Sequence, residues 1–133
     1  MHRNKGSMAS VFLVDDHADV RDVVGQLLKM HGHTVEFITS GEDAIQRLDS
    51  VCPHAVIADH RLPGMNGVEL LRKVRSDPRC TGVCCILFSA DADTRHLAEE
   101  AGAHAFWVKG SDAVFDSIAQ LDSLICDNSK VSR

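Results

Sequence analysis

The segment VFLVDDH, residues 11–17, sets four apolar residues directly before two acidic ones. An apolar run of this length that ends in polar residues is typical of a strand covered on both faces of a parallel sheet. Three later runs share this character, and one run, 34–38, alternates apolar and polar side chains as an edge strand with one wetter face does. The predicted strands are Val11–Val14, Thr34–Ile38, His54–Ala58, Val83–Phe88 and Ala105–Val108.

Helical patterns fill the intervals between the predicted strands. Apolar residues recur there three and four positions apart, which places them on one face of a helix. Ser40 is a predicted N-cap, and Gly32 and Gly102 lie where glycines commonly end helices. Five strands in strict alternation with helices predict an α/β domain with a parallel sheet and right-handed crossovers. The predicted buried faces are Val20, Val23, Val24, Leu27 and Leu28; Ala44, Ile45 and Leu48; Leu70, Leu71 and Val74; and Val114, Ile118, Leu121 and Ile125.

Length and composition limit the classes of protein that this chain can be. It has 133 residues, 44% of them hydrophobic and 25% charged, which suits one globular domain. The net charge of −5 argues against direct nucleic-acid binding, which needs a basic face. No apolar run approaches the roughly 20 residues of a membrane span, and no secretory signal is evident, so we expect a cytoplasmic protein without a membrane partner.

The sequence predicts one domain over residues 10–126. Residues 1–9 lack periodicity and are interpreted as a disordered leader or a cloning remnant. Residues 127–133 are interpreted as a short polar tail.

The cysteines and histidines form no recognisable metal motif. The five cysteines include no CxxC pair, and Cys84 and Cys85 lie inside an apolar run, where a free thiol behaves as a small hydrophobe. We therefore expect reduced, buried cysteines rather than a zinc site. The eight histidines are scattered, and we expect most of them at the surface.

Polar residues that could carry chemistry follow four of the five predicted strands. Asp15 and Asp16 follow the first strand, Asp59 the third, Ser89 the fourth and Lys109 the fifth. Any one of them would ordinarily cap a helix or occupy a turn. Because parallel strands end at one edge of the sheet, where ligands of such sheets bind, we expect all five side chains to meet there.

This combination suits phosphoryl transfer to a carboxylate. Crowded carboxylates repel one another unless a cation lies between them, and Lys109 supplies one positive charge. Mg²⁺ prefers oxygen ligands and keeps water molecules that a phosphate oxygen can replace. Asp59 can then attack phosphorus as a nucleophile, while Lys109 and the Ser89 hydroxyl stabilise charge on the transferring group.

The motifs that carry these residues resemble those of the response-regulator receiver domains of two-component signalling. They are VFLVDDH (11–17), ADHRLPGMNG (58–67), FSA (88–90) and WVKG (107–110), and the match in order and spacing covers residues 10–126. The resemblance implies a doubly wound, flavodoxin-like fold with helices on both faces of the sheet and strand order 2-1-3-4-5.

The resemblance also implies a role for each residue. Asp59 would be the phosphoacceptor, Lys109 would bind the acyl phosphate, and Ser89 would move to hydrogen-bond it. The phosphoryl donor would be a phosphohistidine on a sensor histidine kinase or a histidine phosphotransfer protein. Mg²⁺ would be held by Asp15, Asp16, Asp59 and the backbone carbonyl of Arg61.

Four further positions bear on how closely the chain follows the family pattern. Gly110 lies where many receivers carry a proline, often after a cis bond, so this loop is freed from that constraint. Phe106 lies where receivers carry a switch aromatic; it has no tyrosine hydroxyl, and it can equally be a core aromatic beside Trp107. Arg61 and Asp91 lie at positions that tune the lifetime of the phosphoryl group, and we expect them to pair across the site entrance.

The leading hypothesis is a phosphorylation-dependent switch that catalyses its own phosphorylation and dephosphorylation without turning over a separate substrate. The added charge would change the surface formed by the helix after Ser89, the strand to Val108 and the last helix. Its expected partners are the phosphohistidine donor and an unidentified output domain or protein, with a phosphorylation-dependent homodimer as a further option.

Two alternatives stay open. A receiver-like interaction module would need no phosphorylation, although such modules usually lack the acceptor aspartate or the lysine, and this chain has both. A Mg²⁺-dependent phosphatase of the haloacid-dehalogenase type also uses an aspartyl nucleophile. Those enzymes carry it on the first strand in a DxD motif, whereas Asp59 follows the third predicted strand.

Overall fold

Five parallel strands form one sheet in the computed structural model, which describes residues 9–125. They are β1 (Ser10–Val14), β2 (Thr34–Ile38), β3 (Ala55–Asp59), β4 (Cys84–Ser89) and β5 (Ala105–Val108). Their order across the sheet is β2-β1-β3-β4-β5, which confirms the predicted flavodoxin-like α/β fold and its strand order.

The helices connect the strands or follow the last one. They are α1 (Ala18–Met30), α2 (Gly41–Leu48), α3 (Gly67–Ser76), α4 (Arg95–Ala101) and α5 (Ala113–Ala119), and residues 121–125 are also helical. Short 3-10 turns, Pro78–Cys80 and Ala92–Thr94, precede β4 and α4. α1 and α5 pack on one face of the sheet and α2, α3 and α4 on the other, so helices cover both faces as predicted. No helix within residues 9–125 is long and apolar enough to cross a membrane.

The sheet divides the hydrophobic core into two layers, because successive side chains of a strand point to opposite faces. In β1, Val11 and Leu13 lie in the layer of α1 and α5, whereas Phe12 and Val14 lie in the layer of α2 to α4. β3 and β4 are buried at every position. Burial of one large aliphatic side chain is worth about 1.5–3 kcal/mol, so these strands hold the polar residues at their ends firmly in place.

β3 and β4 each begin and end one residue later than predicted. Asp59 and Ser89 are the last residues of these strands because their backbones still pair within the sheet; Asp59, for example, is in register with Phe88. The predicted N-cap of α2 is confirmed, since Ser40 Oγ accepts a hydrogen bond from the Asp43 N–H at 3.1 Å.

Several side chains lie differently from the prediction. Val23 is 56% exposed, because it lines a surface groove between α1 and the start of α5 and is not packed beneath α1. His33 is buried rather than at the surface. Ala9, assigned to the leader, is also buried, and its carbonyl accepts a hydrogen bond from the Thr34 N–H, so the packed domain includes residue 9.

The cysteine prediction holds only in part. Cys80, Cys84 and Cys85 are buried free thiols, but Cys52 is exposed in the loop before β3. Residues 1–8 and 126–133, which include most of the predicted leader and all of the predicted tail, lie outside the described residues.

Candidate functional site

Three charged side chains meet at the carboxyl-terminal edge of the sheet. Asp15 directly follows β1, Asp59 ends β3 and Lys109 directly follows β5. The backbone holds the lysine there, because the Lys109 N–H donates a hydrogen bond of 2.8 Å to the carbonyl of Ser89 at the end of β4. We expected side chains at the ends of the parallel strands to meet at this edge of the sheet. The structure confirms this for Asp15, Asp59 and Lys109.

Lys109 is the cation that the two buried carboxylates share. Its Nζ lies 2.9 Å from Asp15 Oδ2 and 3.0 Å from Asp59 Oδ1. Asp15 is fully buried, Asp59 is 3% exposed, and the Lys109 side chain is 15% exposed. Two buried negative charges therefore face one positive charge, which leaves the site with an excess of negative charge at neutral pH.

Asp59 is hydrogen-bonded through only one of its two carboxylate oxygens among the described residues. Its Oδ1 accepts a hydrogen bond of 3.2 Å from the Arg61 N–H in addition to the Lys109 contact. Its Oδ2 is buried and has no hydrogen-bond partner among the described residues. Burial raises the pKa of Asp59 and the charge of Asp15 raises it further, whereas the contact with Lys109 opposes the shift. The carboxylate therefore carries a poorly compensated charge.

A fourth side chain, His17, enters the same cluster, and no role had been predicted for it. His17 Nδ1 lies 3.0 Å from Asp15 Oδ1, 3.3 Å from Asp16 Oδ1 and 3.7 Å from Asp59 Oδ2. The hydrogen bond to Asp15 and the nearby negative charges raise the pKa of His17. The only sequence signal was its position directly after the acidic pair. The imidazole stands on the solvent side of the cluster, with 60% of the side chain exposed.

These residues fit a divalent cation. One ligand atom from each of Asp15, Asp16, His17 and Asp59 lies within 4.8 Å of every other, which is close enough for one coordination sphere. Asp59 Oδ2 supports this fit, because a buried carboxylate oxygen that has no hydrogen bond among the described residues needs a proton donor or a metal ion. The residues predicted to hold Mg²⁺ with their side chains are therefore together.

The loop from β3 to α3 is shaped by glycine and by a contact from α2. A Cβ on Gly67 would lie 2.2 Å from the carbonyl oxygen of Asp59, so only glycine lets the chain return this close to the phosphoacceptor candidate. Gly64 has a φ of 70°, as the turn requires. Glu42, which the sequence reasoning missed, accepts a hydrogen bond of 2.9 Å from the Met65 N–H.

Ser89 faces the loop that leads to α4. It is 2% exposed, and its Oγ accepts a hydrogen bond of 3.0 Å from the Asp91 N–H. Thr94 Oγ1 lies 2.9 Å from the same Ser89 oxygen and 2.7 Å from the Asp91 carbonyl oxygen. The serine predicted to act as a switch is thus hydrogen-bonded to the turn that precedes α4.

Phe106 and Trp107 lie on opposite faces of β5, so Phe106 packs against the core in a different layer from Trp107. Adjacent strand residues point in opposite directions. Phe106 packs partly buried in the layer of α2 to α4, whereas Trp107 is buried in the other layer, edge-to-face with Phe88. The guanidinium of Arg95, the first residue of α4, lies 4.9 Å from the centroid of the Phe106 ring. Phe106 and Ser89 therefore both contact the start of α4.

The predicted pair of Arg61 and Asp91 is not formed in this structure. Among residues 9–125 no ion pair links them; the Asp91 carboxylate instead accepts a hydrogen bond of 2.9 Å from the Asp93 N–H and caps the 3-10 turn. Gly110 adopts a φ of 77°, and no described peptide bond is cis, so the loop after Lys109 uses glycine's left-handed conformation.

Comparison with known proteins identifies the fold and its family. The model of the response regulator receiver domain matches residues 11–115. The chain belongs to the response regulator receiver family. Receiver domains of this family serve phosphorylation-dependent signalling in two-component systems, together with sensor histidine kinases and output domains.

One relative of this receiver domain is transcriptional regulatory protein TrcR of Mycobacterium tuberculosis. The two are 29% identical over 133 residues, which is all of this chain and 51% of TrcR. The chain thus spans about half the length of that relative.

Two solved receiver structures share the fold. A CheY-like receiver domain protein from Methanospirillum hungatei superposes with a TM-score of 0.80 at 22% identity, covering 93% of this chain and 98% of that one. The receiver domain of sensor histidine kinase PA1611 from Pseudomonas aeruginosa, with a magnesium ion coordinated in its active site cleft, gives 0.78 at 23% identity, covering 90% and 98%.

Proposed function

We propose that this receiver domain is a phosphorylation-dependent switch in which Asp59 accepts a phosphoryl group from a phosphohistidine. One observation carries the proposal: Asp59 is a buried carboxylate whose Oδ1 contacts Lys109 and the Arg61 N–H, while its Oδ2 has no hydrogen bond among the described residues and lies 3.7 Å from His17 Nδ1. A stable structural aspartate would have both oxygens satisfied. A carboxylate held in this way is oriented to act as a nucleophile on phosphorus.

The residues around Asp59 have separate tasks in the transfer. Asp59 attacks phosphorus, the bond from phosphorus to the donor imidazole breaks, and the imidazole leaves as the neutral ring after taking up a proton. Lys109, already 3.0 Å from Asp59 Oδ1, balances negative charge as the aspartyl phosphate forms. Ser89 can donate its hydroxyl hydrogen to a phosphoryl oxygen once it leaves its present partners.

Mg²⁺ is the cofactor that we propose for the acidic cluster. Asp15, Asp16 and Asp59 would hold it, with the carbonyl of Arg61 as the further ligand predicted from the sequence. When bound, Mg²⁺ supplies positive charge against the three carboxylates and the oxygens of the transferring group. Support comes from the close grouping of these carboxylates and from the magnesium reported in the PA1611 receiver.

The switch that we propose runs from Ser89 to the start of α4. If the Ser89 hydroxyl turns to the phosphoryl group, its hydrogen bonds with Asp91 and Thr94 must break. Thr94 directly precedes α4, and Arg95 within α4 contacts Phe106. Phosphorylation would therefore change the surface of α4, β5 and α5, where an output partner or a second copy of the domain would bind.

The wider setting is part of the same proposal. The donor would be a sensor histidine kinase or a histidine phosphotransfer protein in the cytoplasm, and the output domain or protein is unidentified. The domain would catalyse its own phosphorylation and dephosphorylation and turn over no separate substrate. Arg61 and Asp91 would tune the lifetime of the aspartyl phosphate at the entrance to the site.

The test is intact mass spectrometry after incubation with acetyl phosphate, a small phosphodonor, and Mg²⁺. We expect the wild type to gain one phosphoryl group, and Asp59→Asn, which keeps the size of the side chain, to gain none. If Mg²⁺ is left out and a chelator is added, the yield of phosphorylated protein should fall by at least about tenfold.

The outcomes separate the hypotheses. An unmodified wild type would support the non-phosphorylated interaction module. Sustained release of inorganic phosphate with a burst would support a phosphatase. An adduct that persists in Asp59→Asn would refute the assignment of the acceptor.

A further inference from the structure

A pair of cysteine thiols lies at the amino-terminal edge of the sheet, away from the acidic cluster. Cys52 belongs to the loop between α2 and β3, and Cys80 ends the 3-10 turn before β4. Their Sγ atoms are 3.8 Å apart, which is van der Waals contact. Cys52 is exposed, whereas Cys80 is 1% exposed. Two thiols, 28 positions apart in sequence, therefore meet with one sulfur facing solvent.

The surrounding contacts hold the two loops together. Cys52 Sγ lies 3.2 Å from the carbonyl oxygen of Arg79, the residue before Cys80. Arg79 in turn forms ion pairs with Asp77 at 2.7 Å and with Asp49 at 3.2 Å, which tie the 3-10 turn to the end of α2. The fold thus brings the sulfurs together without the entropic cost of closing a free loop.

The two cysteines differ in their exposure to solvent. Burial raises the pKa of Cys80 to about 12, with a further contribution from Cys52, so the Cys80 thiol stays protonated. Burial likewise raises the pKa of Cys84 and Cys85 to about 12, and both lie fully inside β4. An oxidant from solvent therefore reaches Cys52 first, because reactivity needs an accessible thiolate.

We propose that Cys52 and Cys80 are a redox modification site, which closes to an intramolecular disulfide in the presence of a hydroperoxide. The Cys52 thiolate attacks the peroxide: an S–O bond forms, the O–O bond breaks, and water or an alcohol leaves. Cys80 sulfur then attacks the sulfenic acid: the S–S bond forms, the S–O bond breaks, and water leaves with the thiol proton. Two electrons pass from the two thiols to one peroxide, and a dithiol reductant reverses the change.

Formation of the disulfide needs only a small movement of the loop that contains Cys52. A disulfide has an S–S length of about 2.05 Å, so the sulfurs must approach by about 1.8 Å from their present 3.8 Å. Cys52 lies in loop 51–53, outside any helix or strand. The bond would enclose β3, Asp59 and α3 in one covalent loop. A loop of this length should raise the Tm of the oxidised domain by roughly 5–15 °C.

The test treats the reduced full chain with hydrogen peroxide and counts thiols by alkylation in denaturant. We expect a mass loss of two hydrogens, alkylation of three of the five cysteines, and full reversal by dithiothreitol. Tryptic peptides 48–61 and 80–95 should be joined, with fragment ions that separate Cys80 from Cys84. The Tm of the oxidised form should exceed that of the reduced form.

Matched variants decide whether these two sulfurs carry the effect. Cys52→Ser changes an exposed residue and should abolish the intramolecular crosslink with the fold intact. Cys80→Ser should leave a sulfenic acid at Cys52 that a dimedone probe labels. Cys126→Ser and Asp59→Asn should keep the crosslink, so the result is independent of phosphorylation. Five alkylated thiols in the oxidised wild type, a crosslink that survives in Cys52→Ser, or only intermolecular dimers would overturn the proposal.

Discussion

The polar groups at the two edges of the sheet differ in how completely they are paired. At the amino-terminal edge, His54 and Ser10 exchange two hydrogen bonds: the Ser10 N–H donates to His54 Nδ1 at 3.0 Å, and the His54 N–H donates to the Ser10 carbonyl at 2.8 Å. His104 and Cys85 form the same reciprocal pair at 2.9 and 2.7 Å. Both of these strand starts are thus closed by neutral hydrogen-bond partners.

The carboxyl-terminal edge leaves its charges incompletely paired. Asp15 and Asp59 are buried against the single cation of Lys109, and Asp59 Oδ2 has no hydrogen-bond partner among residues 9–125. Buried polar groups are normally satisfied, so a retained deficit marks a place where a ligand completes the site. The hydrogen bonds at the amino-terminal edge therefore stabilise the fold. The incompletely paired charges at the carboxyl-terminal edge lower its stability and leave a reactive site.

The largest effect should come from Gly67→Ala, which tests how tightly the carboxyl-terminal edge is built. The new Cβ would lie 2.2 Å from the Asp59 carbonyl oxygen, a backbone atom that cannot move without shifting β3. We expect a loss of about 3 kcal/mol or more in the free energy of unfolding, measured with urea, and no phosphoryl adduct.

The matched control is Gly102→Ala at the opposite edge. Gly102 has a φ of 77°, but its Cβ would meet only the flexible Arg75 side chain at 3.4 Å. The cost there should be about 1–2 kcal/mol from the backbone conformation. Equal losses of unfolding free energy in Gly67→Ala and Gly102→Ala would mean that the backbone at Gly67 does not pack closely against the Asp59 carbonyl.

The second effect concerns the shared cation. Lys109→Met keeps the length of the side chain and removes the charge between Asp15 and Asp59, so we expect a loss of about 2 kcal/mol without divalent cations. The loss should be smaller in an Asp59→Asn background, where one carboxylate charge is already gone. Urea unfolding of the two single variants and the double variant measures this coupling. Additive losses would contradict a shared ion pair.

The smallest effect is a pH dependence at the amino-terminal edge. Burial lowers the pKa of His104, and the charge of Arg75 lowers it further. The unfolded chain therefore binds a proton before the folded domain does as the pH falls below about 6.5, so the stability that the neutral imidazole supports is lost in acid.

We expect that His104→Asn removes part of the decline in unfolding free energy between pH 7.5 and 5, by less than about 1 kcal/mol because the side chain is partly exposed. Asp59 should act in the opposite direction, since its raised pKa favours proton uptake by the folded state. An identical pH profile of stability in wild type and His104→Asn would show that protonation of His104 is not coupled to unfolding.

Much of the fold and the site was predictable from local patterns. Apolar runs located the five strands to within one residue, and the residues after them identified Asp15, Asp59 and Lys109, because strand topology brings these positions to one edge. The predictions that failed depend on contacts between elements distant in sequence. The exposure of Val23 and the burial of Ala9 reflect which surfaces the neighbouring elements cover.

The sequence by itself determined the strand order, through its family motifs, and the identity of the residues at the carboxyl-terminal edge. The family motifs imply the strand order, whereas the meeting of these residues at one edge follows from the common direction of parallel strands. Only the tertiary structure decided that Asp59 Oδ2 lacks a hydrogen bond among the described residues, that His17 joins the acidic cluster, and that Cys52 meets Cys80. Distances between side chains on separate loops depend on how the helices pack, and no local pattern encodes them.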